Sequence, residues 1–361
     1  MQYKFLIYIS YSYAVPIGNP LEQEIKSRGF SVKWFSDLED GKKALQTKNN
    51  ILHSIKDVVN YEPHIVLVAT NDVPDFISGL KAQVFHGFNA QKRPESKNEF
   101  SHFRIRGFFD LYCTQGPSTT KGFKAQQKKH PHFEVKETGW SKVDPLFPIV
   151  KKEKNNFPTI MIASTFSKRL SLAHNFDVLS TIKKLSRSGK YNFIMVLHPK
   201  LPVEIKEKWK SLNGNYFQYY DTTDLIPLFK KADIMFADTT SAIQEFLIQQ
   251  KPVVTYLHTF DHKYLINIET PDAIENTFDE ALSYPQNLLE NIDTFINQLH
   301  PYFDGKSSKR VIDTCISFLH EDKSHLKNKP LNLIRKYKIR KRLGYFTLNS
   351  YNKPFTIKLT D

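Results

Sequence analysis

The chain has 361 residues, of which 40% are hydrophobic and 24% charged, and its basic residues outnumber its acidic residues to give a net charge of +14. This composition predicts a folded chain of two domains and excludes intrinsic disorder, and the lack of an apolar run of about eighteen residues predicts no membrane span. The positive charge predicts an anionic partner, which can be nucleic acid, an acidic membrane surface or a phosphate-rich substrate. The only cysteines, Cys113 and Cys315, are far apart in sequence and favour a reducing, cytosolic compartment.

The first half alternates predicted strands with helical stretches, which is typical of an open α/β sheet. A loop is predicted at Pro16–Pro20, followed by a helix at Leu21–Arg28 that ends at Gly29. The predicted strands are Phe5–Ser10, Ser31–Phe35, His64–Ala69, Gln83–His86 and Leu111–Thr114.

A Lys- and Pro-rich linker at Val143–Pro158 precedes a second series of strands and helices. The predicted strands are Thr159–Ala163, Asn192–Leu197, Tyr216–Tyr220, Ile234–Ala237 and Lys251–Tyr256, and the predicted helices are Phe176–Arg187, Asp224–Lys231 and Lys306–His320. We therefore expect an N-terminal α/β domain at 1–150, a C-terminal α/β domain at 151–320 and a basic amphipathic tail at 321–361.

The segment after the strand Ile234–Ala237 predicts a phosphate-binding turn. Asp238, Thr239, Thr240 and Ser241 supply hydroxyl and carboxylate groups at the start of a helix, where backbone N–H groups and the helix dipole favour an anion. The alternative is an ordinary capping turn. Glu245, one turn into this helix, is a candidate hydrogen-bond acceptor for a ribose or polyol, or it simply favours the helix start.

Two histidines stand at the ends of predicted strands, one in each half. His86 precedes Gly87, which permits a tight turn, and His198 precedes Pro199, which ends its strand. Imidazole can act as a general base near neutral pH or, when protonated, as a partner for phosphate. Each histidine taken alone can also be structural.

Other polar residues are weaker candidates. Thr165, Lys168, Arg169 and Lys200 follow predicted strands of the second half and could bind a diphosphate, while Lys92 and Arg93 form a basic loop on the acceptor side or a solvated one. Lys142 and Asp144 lie either at the rim of a cleft or in a turn.

The tail interleaves basic residues with apolar ones, as expected of a segment on an anionic membrane surface. The alternatives are a solvated tail or one that binds nucleic acid. The basic residues are Lys323, Lys327, Lys329, Arg335, Lys336, Lys338, Arg340, Lys341 and Arg342, and the apolar ones are Leu331, Leu333, Ile334, Ile339, Leu343, Tyr345 and Phe346.

Several site classes lack their sequence signature. The chain has no Walker loop and no Gly-x-Gly-x-x-Gly after a strand, which argues against a P-loop NTPase or a dinucleotide dehydrogenase. It also has no zinc-spaced Cys/His set and no Gly-x-Ser-x-Gly elbow. We expect neither a metal site nor a cofactor.

Taken together, the motifs resemble the CDP-glycerol glycerophosphotransferase family, whose members make teichoic acids and capsule polymers. The matching segments are Gln83-Val-Phe-His86-Gly87 with Lys92, Gly139-Trp-Ser-Lys-Val-Asp144, His198-Pro199, Ala232 to Phe246, Lys251-Pro252 and Asp304-Gly-Lys-Ser-Ser-Lys-Arg310. They occur in the family's order. The sequence departs from the family pattern at Phe85, at Phe88-Asn89-Ala90, at Thr239-Thr240 and at Ser164 to Arg169.

The resemblance implies a GT-B-like α/β fold with two Rossmann-like domains facing a central cleft. It implies that His86 is the general base and that His198, Thr240 and Ser241 hold the phosphates of a CDP-linked polyol. An acceptor hydroxyl on a glycan or lipid-linked molecule would then attack the β-phosphorus and release CMP. The tail would keep this cytosolic protein peripheral on the inner face of the cell membrane, and nucleic acid is not an expected partner.

Three alternatives remain open from the sequence. A glycosyltransferase of the same fold would use a nucleotide sugar at the same site. A nucleic-acid-binding module would use the tail. A UDP-sugar 2-epimerase shares the architecture but needs additional carboxylates.

Overall fold

The structure is a computed structural model that describes residues 2–88, 102–149 and 157–357. Its contacts divide the chain into two compact units. Unit 1 contains the described residues of 1–86, 98–147 and 299–361, and unit 2 contains those of 87–97 and 148–298. Residues 299–320 therefore belong to unit 1, so their predicted assignment to the second domain is wrong, because α1 and the turn at 141–146 provide their packing surface.

Unit 1 is built on a six-stranded parallel sheet in the order β2-β1-β3-β4-β5-β6. The strand β3 reads Ile-Val-Leu-Val and is wholly buried, as expected for a parallel sheet covered on both faces. The elements up to residue 137 are β1 (Lys4–Ile9), α1 (Val15–Ser27), β2 (Ser31–Ser36), α2 (Glu39–Leu45), α3 (Ile55–Tyr61), β3 (Ile65–Val68), β4 (Leu80–Gln83), β5 (Leu111–Thr114), α4 (Pro117–Lys129) and β6 (Glu134–Glu137).

Unit 2 repeats this architecture with a second parallel sheet in the order β12-β11-β10-β7-β8-β9. Its elements are β7 (Thr159–Ser164), α5 (Phe176–Ser188), β8 (Asn192–Leu197), α6 (Val203–Lys210), β9 (Phe217–Tyr220), α7 (Ile226–Lys231), β10 (Ile234–Ala237), α8 (Ala242–Leu247), β11 (Val253–Tyr256), β12 (Ile266–Ile268), α9 (Ile274–Leu282) and α10 (Gln286–Leu299). The chain then returns to unit 1 with α11 (Ser307–His320) and α12 (Leu333–Leu343). The predicted α/β class is confirmed by these two sheets.

The first helix begins earlier than predicted. The predicted loop Pro16–Pro20 is wrong, because these residues lie in α1, with Pro16 in the first turn, where a missing N–H costs little. Gly18 allows this helix to pack closely on the sheet, since a Cβ there would lie 2.2 Å from the ring of Trp34. The fourth strand also differs from the prediction, because it ends at Gln83 and leaves His86 beyond the sheet.

The basic tail is docked on unit 1 through specific ion pairs. Lys329 lies 2.5 Å from the fully buried carboxylate of Asp110, and Arg340 lies 2.6 Å from the buried Asp75. Between these contacts, Ile339 of α12 is buried in the hydrophobic core of the unit. A large part of the tail's positive charge therefore neutralises buried acidic residues. Among the described residues, no helix combines the length and apolar character that a membrane crossing requires.

We predict that Lys329→Met lowers the free energy of unfolding by about 3 kcal/mol or more, because it leaves the Asp110 carboxylate buried without its cation. The exposed Lys327 is the matched control, and Lys327→Met should change stability by less than about 0.5 kcal/mol. Thermal and urea unfolding of both variants measure the difference. Equal stability of the two variants would contradict the docked tail.

Candidate functional site

Three adjacent strands of unit 2 deliver the predicted donor-side residues to one edge of its sheet. Ala163 of β7 pairs with Ala237 of β10, and Ser164 pairs with Leu197 of β8, so the three strands end at the same level. The residues that follow are Thr165, His198 and Asp238. The carboxyl edge of a parallel α/β sheet is where such folds bind their ligands.

Asp238 is the internal support of this edge. Its buried carboxylate accepts hydrogen bonds from the backbone N–H groups of Thr165 and Leu172, both at 2.9 Å, and from the hydroxyl of Ser164. A buried carboxylate would repel a phosphate, and the oxygens of this one already accept hydrogen bonds from the protein. We therefore expect Asp238 to hold the loop at 165–172, which carries Lys168 and Arg169 at its exposed tip. The sequence predicted that Asp238 contacts the ligand, whereas its hydrogen bonds favour this supporting role.

His198 is oriented by its own loop. Its Nδ1 accepts a hydrogen bond from the backbone N–H of Lys200 at 3.1 Å, and its ring lies 4.6 Å from the ring of Phe166. Because Nδ1 is the acceptor, the neutral ring carries its proton on Nε2, where it can act as a donor. The ammonium of Lys200 lies 5.6 Å from the same Phe166 ring. His198 and Lys200 thus present a donor and a cation at this edge.

The hydroxyl-rich turn after β10 divides into supporting and accessible residues. Thr239 is fully buried, and its hydroxyl accepts a hydrogen bond from the backbone N–H of Thr259 at 3.1 Å. Thr240 and Ser241 are only half-buried, and Ser241 makes no side-chain cap to α8, which has only six residues. Glu245 is buried on that helix. Within this turn, the accessible hydroxyls are therefore those of Thr240 and Ser241.

A loop that the sequence reading did not single out lies at the same edge. Thr255 of β11 pairs with Ala237, and the loop after β11 carries His258 and His262, whose rings lie 5.3 Å apart. The ring of His262 stacks at 4.7 Å on Tyr264, and burial lowers the pKa of both histidines. The sequence could have indicated this loop, because a predicted parallel strand that ends at the same level places the loop after it beside the other loops.

In unit 1, His86 lies just beyond β4 with an aromatic and basic neighbourhood. The ring of Tyr13 is 6.0 Å from that of His86. The imidazole is partly exposed, yet the surrounding protein excludes enough water to lower its pKa, and the Arg106 guanidinium lowers it further. Burial, with a smaller contribution from His86, brings the pKa of His102 to about 4. Sequence reasoning missed these neighbours because Tyr13 follows β1, while His102 and Arg106 come from a later part of the long connection between β4 and β5 that also contains His86.

The backbone before His86 is strained and supported from outside. Phe85 has a left-handed φ of 58°, which is uncommon for a bulky residue, whereas Gly87, which was expected to provide the tight turn, is outside the left-handed region. The indole Nε1–H of Trp140 donates to the Phe85 carbonyl at 3.3 Å, and the Trp140 backbone N–H donates to Nε2 of the fully buried His300 at 3.0 Å. This chain of contacts holds the turn that presents His86.

The motifs at 139–144 and 304–310 meet in unit 1. The Asp144 carboxylate accepts hydrogen bonds from the backbone N–H groups of Ser307 at 2.8 Å and Ser308 at 2.6 Å, and also from the Ser308 hydroxyl. These donors belong to the first turn of α11, where backbone N–H groups lack intrahelical partners. Asp144 therefore caps that helix, a role the sequence did not predict. Lys92 and Arg93 lie outside the described residues.

A family model, described as CDP-glycerol:poly(glycerophosphate) glycerophosphotransferase, matches residues 134–317, which is about half of the chain. The chain belongs to this glycerophosphotransferase family. The match contains the loops after β7, β8, β10 and β11 and the two motifs that meet at Asp144.

The curated relative that matches this glycerophosphotransferase family member is distant in sequence. The teichoic acid poly(ribitol-phosphate) polymerase of Bacillus spizizenii is 23% identical over 184 residues, which are 47% of this chain and 29% of that protein. The chain thus matches less than a third of the length of this curated relative.

Solved structures share the fold. A variant of the wall teichoic acid polymerase TagF soaked with CDPG is 13% identical, with a TM-score of 0.63 over 87% of this chain and 88% of that chain. A UDP-N-acetylglucosamine 2-epimerase described as putative, from Listeria monocytogenes, is 15% identical, with a TM-score of 0.61 over 88% and 96%. At these low identities the solved structures establish only the GT-B-type fold, which polymerase and epimerase share. The family match is the finding that distinguishes this chain from the epimerases.

We predict that Trp140→Phe preserves the fold of this glycerophosphotransferase family member but releases the turn at His86. Loss of one indole hydrogen bond should cost about 1 kcal/mol of stability. The NMR-measured pKa of His86 should rise towards its ordinary 6.5 as the ring becomes better solvated.

The matched control is Trp209→Phe in unit 2, because the Trp209 indole also donates to a backbone carbonyl, that of Ala173 at 3.0 Å. It should cost similar stability and leave the His86 pKa unchanged. An unchanged His86 pKa in Trp140→Phe would contradict the positioning role.

Proposed function

We propose that this protein transfers a polyol phosphate from a CDP-linked donor, CDP-glycerol or CDP-ribitol, to a hydroxyl group of a glycan or lipid-linked acceptor and releases CMP. The observation that carries the proposal is the edge of unit 2 at which His198, Lys200, Thr240 and Ser241 follow strands that end at one level. Donors and cations converging on one edge suit a nucleotide diphosphate. The family match and the CDPG soaked into a TagF variant support the same donor class.

In the proposed reaction, His86 removes the proton from the acceptor hydroxyl. The oxygen attacks the β-phosphorus of the CDP-polyol, the bond from that phosphorus to the CMP oxygen breaks, and a phosphodiester forms. The lowered pKa of His86 supports this role, because the ring is neutral at pH 7 and able to accept a proton. His198, Lys200 and the exposed cations Lys168 and Arg169 would stabilise charge on the leaving CMP.

Two substitutions separate binding from chemistry. We predict that His86→Gln lowers the rate of CMP release by 10²-fold or more, while CDP-glycerol or CDP-ribitol still raises the melting temperature. His198→Gln should abolish that ligand-induced rise. His53→Gln is the control, since His53 is an exposed histidine of unit 1 and should change neither measurement.

The same measurements decide among the alternatives. Stabilisation by UDP-sugars but not by CDP-polyols would sink the polyol-phosphate proposal and favour a glycosyltransferase. Epimerisation of a UDP-sugar without CMP release would favour the 2-epimerase that shares the fold.

We further propose that the tail holds the protein on an anionic membrane surface, at the inner face of the cell membrane. One side of the tail is docked on unit 1 through Ile339 and Lys336, while large apolar side chains on its other side are more than half exposed. Apolar contact and positive charge each contribute about 1 kcal/mol per group to such binding. The exposed apolar residues are Leu331, Leu333, Ile334, Tyr337, Phe346 and Leu348, and the exposed cations include Lys327, Lys338 and Lys341.

We predict that the full chain cosediments with vesicles of phosphatidylcholine and phosphatidylglycerol, more weakly with phosphatidylcholine alone, and that added salt reduces binding. The double substitution Ile334→Ser and Phe346→Ser should reduce the binding constant about tenfold or more. Val203→Ser is the control, because Val203 is an exposed apolar residue of unit 2. Equal binding of all three proteins would rule out the tail as the membrane contact.

A further inference from the structure

Unit 1 contains a group of arginines that the proposed donor site does not use. Arg104 and Arg106 belong to the loop between β4 and β5, and Arg335 belongs to α12. Arg106 is near enough to His86 to influence its titration, and Arg104 and Arg335 both act electrostatically on Arg106. Two parts of the chain that are far apart in sequence thus bring three arginines into one neighbourhood, and Arg106 is the one within electrostatic reach of the proposed general base.

The docked tail builds this arrangement. The side-chain amide of Asn332 donates to the Arg106 carbonyl at 2.6 Å, and its oxygen accepts from the Arg335 guanidinium at 2.9 Å. Gly107 has a φ of 79°, and a Cβ there would lie 2.5 Å from the ring of Pro330. The tail therefore fixes the loop of Arg106 and brings Arg335 to it through one asparagine.

The charge of Arg106 is not compensated within the described residues. Arg340 and Arg342 of the same tail each lie within 3 Å of a carboxylate, but Arg106 is half-buried and forms no ion pair with any described residue. The nearby Asp72 is already bonded to Arg342 at 2.9 Å. Burial and repulsion from Arg104 lower the pKa of Arg106. Leaving a half-buried cation unpaired is costly, and an incoming anion removes that cost.

We propose that Arg106 and Arg335 form an anion subsite that binds a phosphate group of the acceptor, next to the hydroxyl that faces His86. Guanidinium groups bind phosphate oxygens through paired, charge-assisted hydrogen bonds. An acceptor of this kind, a chain end or lipid-linked molecule with a phosphate ester beside its free hydroxyl, agrees with the poly(glycerophosphate) in the description of the matching family. This identification of the acceptor rests on the proposed function, whereas the anion subsite itself does not.

Binding of defined probes to the full chain tests the subsite without any turnover. The probes are a glycerol phosphate trimer joined by phosphodiesters, a neutral triglycerol, inorganic phosphate, and vesicles of phosphatidylcholine with phosphatidylglycerol. The proteins are wild type, Arg106→Gln, Arg106→Lys, Arg335→Gln and, as a matched control, Arg187→Gln, which removes an exposed arginine of unit 2. Calorimetry measures the trimer, triglycerol and phosphate, and cosedimentation measures the vesicles.

We expect the trimer to bind wild type and Arg187→Gln equally, and to bind Arg106→Gln and Arg335→Gln about tenfold or more weakly, with Arg106→Lys in between. Triglycerol should not bind. The melting temperature of Arg106→Gln should not fall below that of wild type, and CDP-glycerol should raise it by the same amount in both proteins, which shows that the fold and the donor site are intact.

Equal trimer affinity for wild type and Arg106→Gln would overturn the subsite. Either of two results would overturn the acceptor assignment. If inorganic phosphate binds as tightly as the trimer, the ligand is a free phosphate. If Arg106→Gln loses vesicle binding alone, the ligand is a lipid headgroup. If CDP-polyols fail to stabilise wild type while Arg106→Gln still weakens trimer binding, the transferase proposal fails and the anion subsite stands.

Discussion

The level at which parallel strands end is the constraint on which the donor side depends. In unit 2, register pairs Ala163 with Ala237 and Ser164 with Leu197, so loops separated by up to about seventy residues emerge side by side. Parallel pairing requires crossover connections, and these keep every strand pointing the same way. A slip of one residue would exchange the side chains that pack on the two buried faces of the sheet, so the packing of the hydrophobic core fixes the position of the loops. Packing thus determines where His198 stands before any ligand is present.

Several residues of the family motifs have their polar groups engaged within the protein, and we expect them to support the sites without contacting a ligand. Asp238 and Asp144 are buried carboxylates that accept backbone N–H groups from segments far away in sequence. In each case several hydrogen bonds from the protein replace the water that the carboxylate loses on burial. They compensate the cost of burying the charge, and they fix the donor groups in place. Trp140 has a similar supporting role, because its neutral indole N–H donates to the Phe85 carbonyl and stabilises the left-handed turn there. Removing any of these groups would disturb a site without removing a reacting atom.

The sequence was informative where a local pattern determines structure. Strands such as β5, β8 and β10 have the predicted bounds because short apolar runs between turn residues leave few alternatives. It was wrong at Pro16–Pro20, where packing of Gly18 against Trp34 outweighs the helix-breaking tendency of proline. The positive φ at Phe85 and the capping of α11 by Asp144 depend on partners more than fifty residues away, so no local signal could reveal them. Tyr13 likewise comes from a distant segment, whereas His102 and Arg106 follow His86 in the same connection between β4 and β5, and no local pattern indicates that they lie near it.

The tail shows how one segment can combine stability with recognition. Its charges look alike in sequence but differ in their partners. Lys329 and Arg340 neutralise the buried Asp110 and Asp75, while Arg335 is held by an amide oxygen and, within the described part of the chain, by no carboxylate. A cation paired with a buried carboxylate is committed to the fold, because separating the pair exposes an uncompensated charge. A cation held by a neutral acceptor keeps its net charge available to an external anion. Docking of the tail and recognition of an anionic acceptor would therefore be linked, since the ion pairs that hold α12 on unit 1 also fix the position of Arg335.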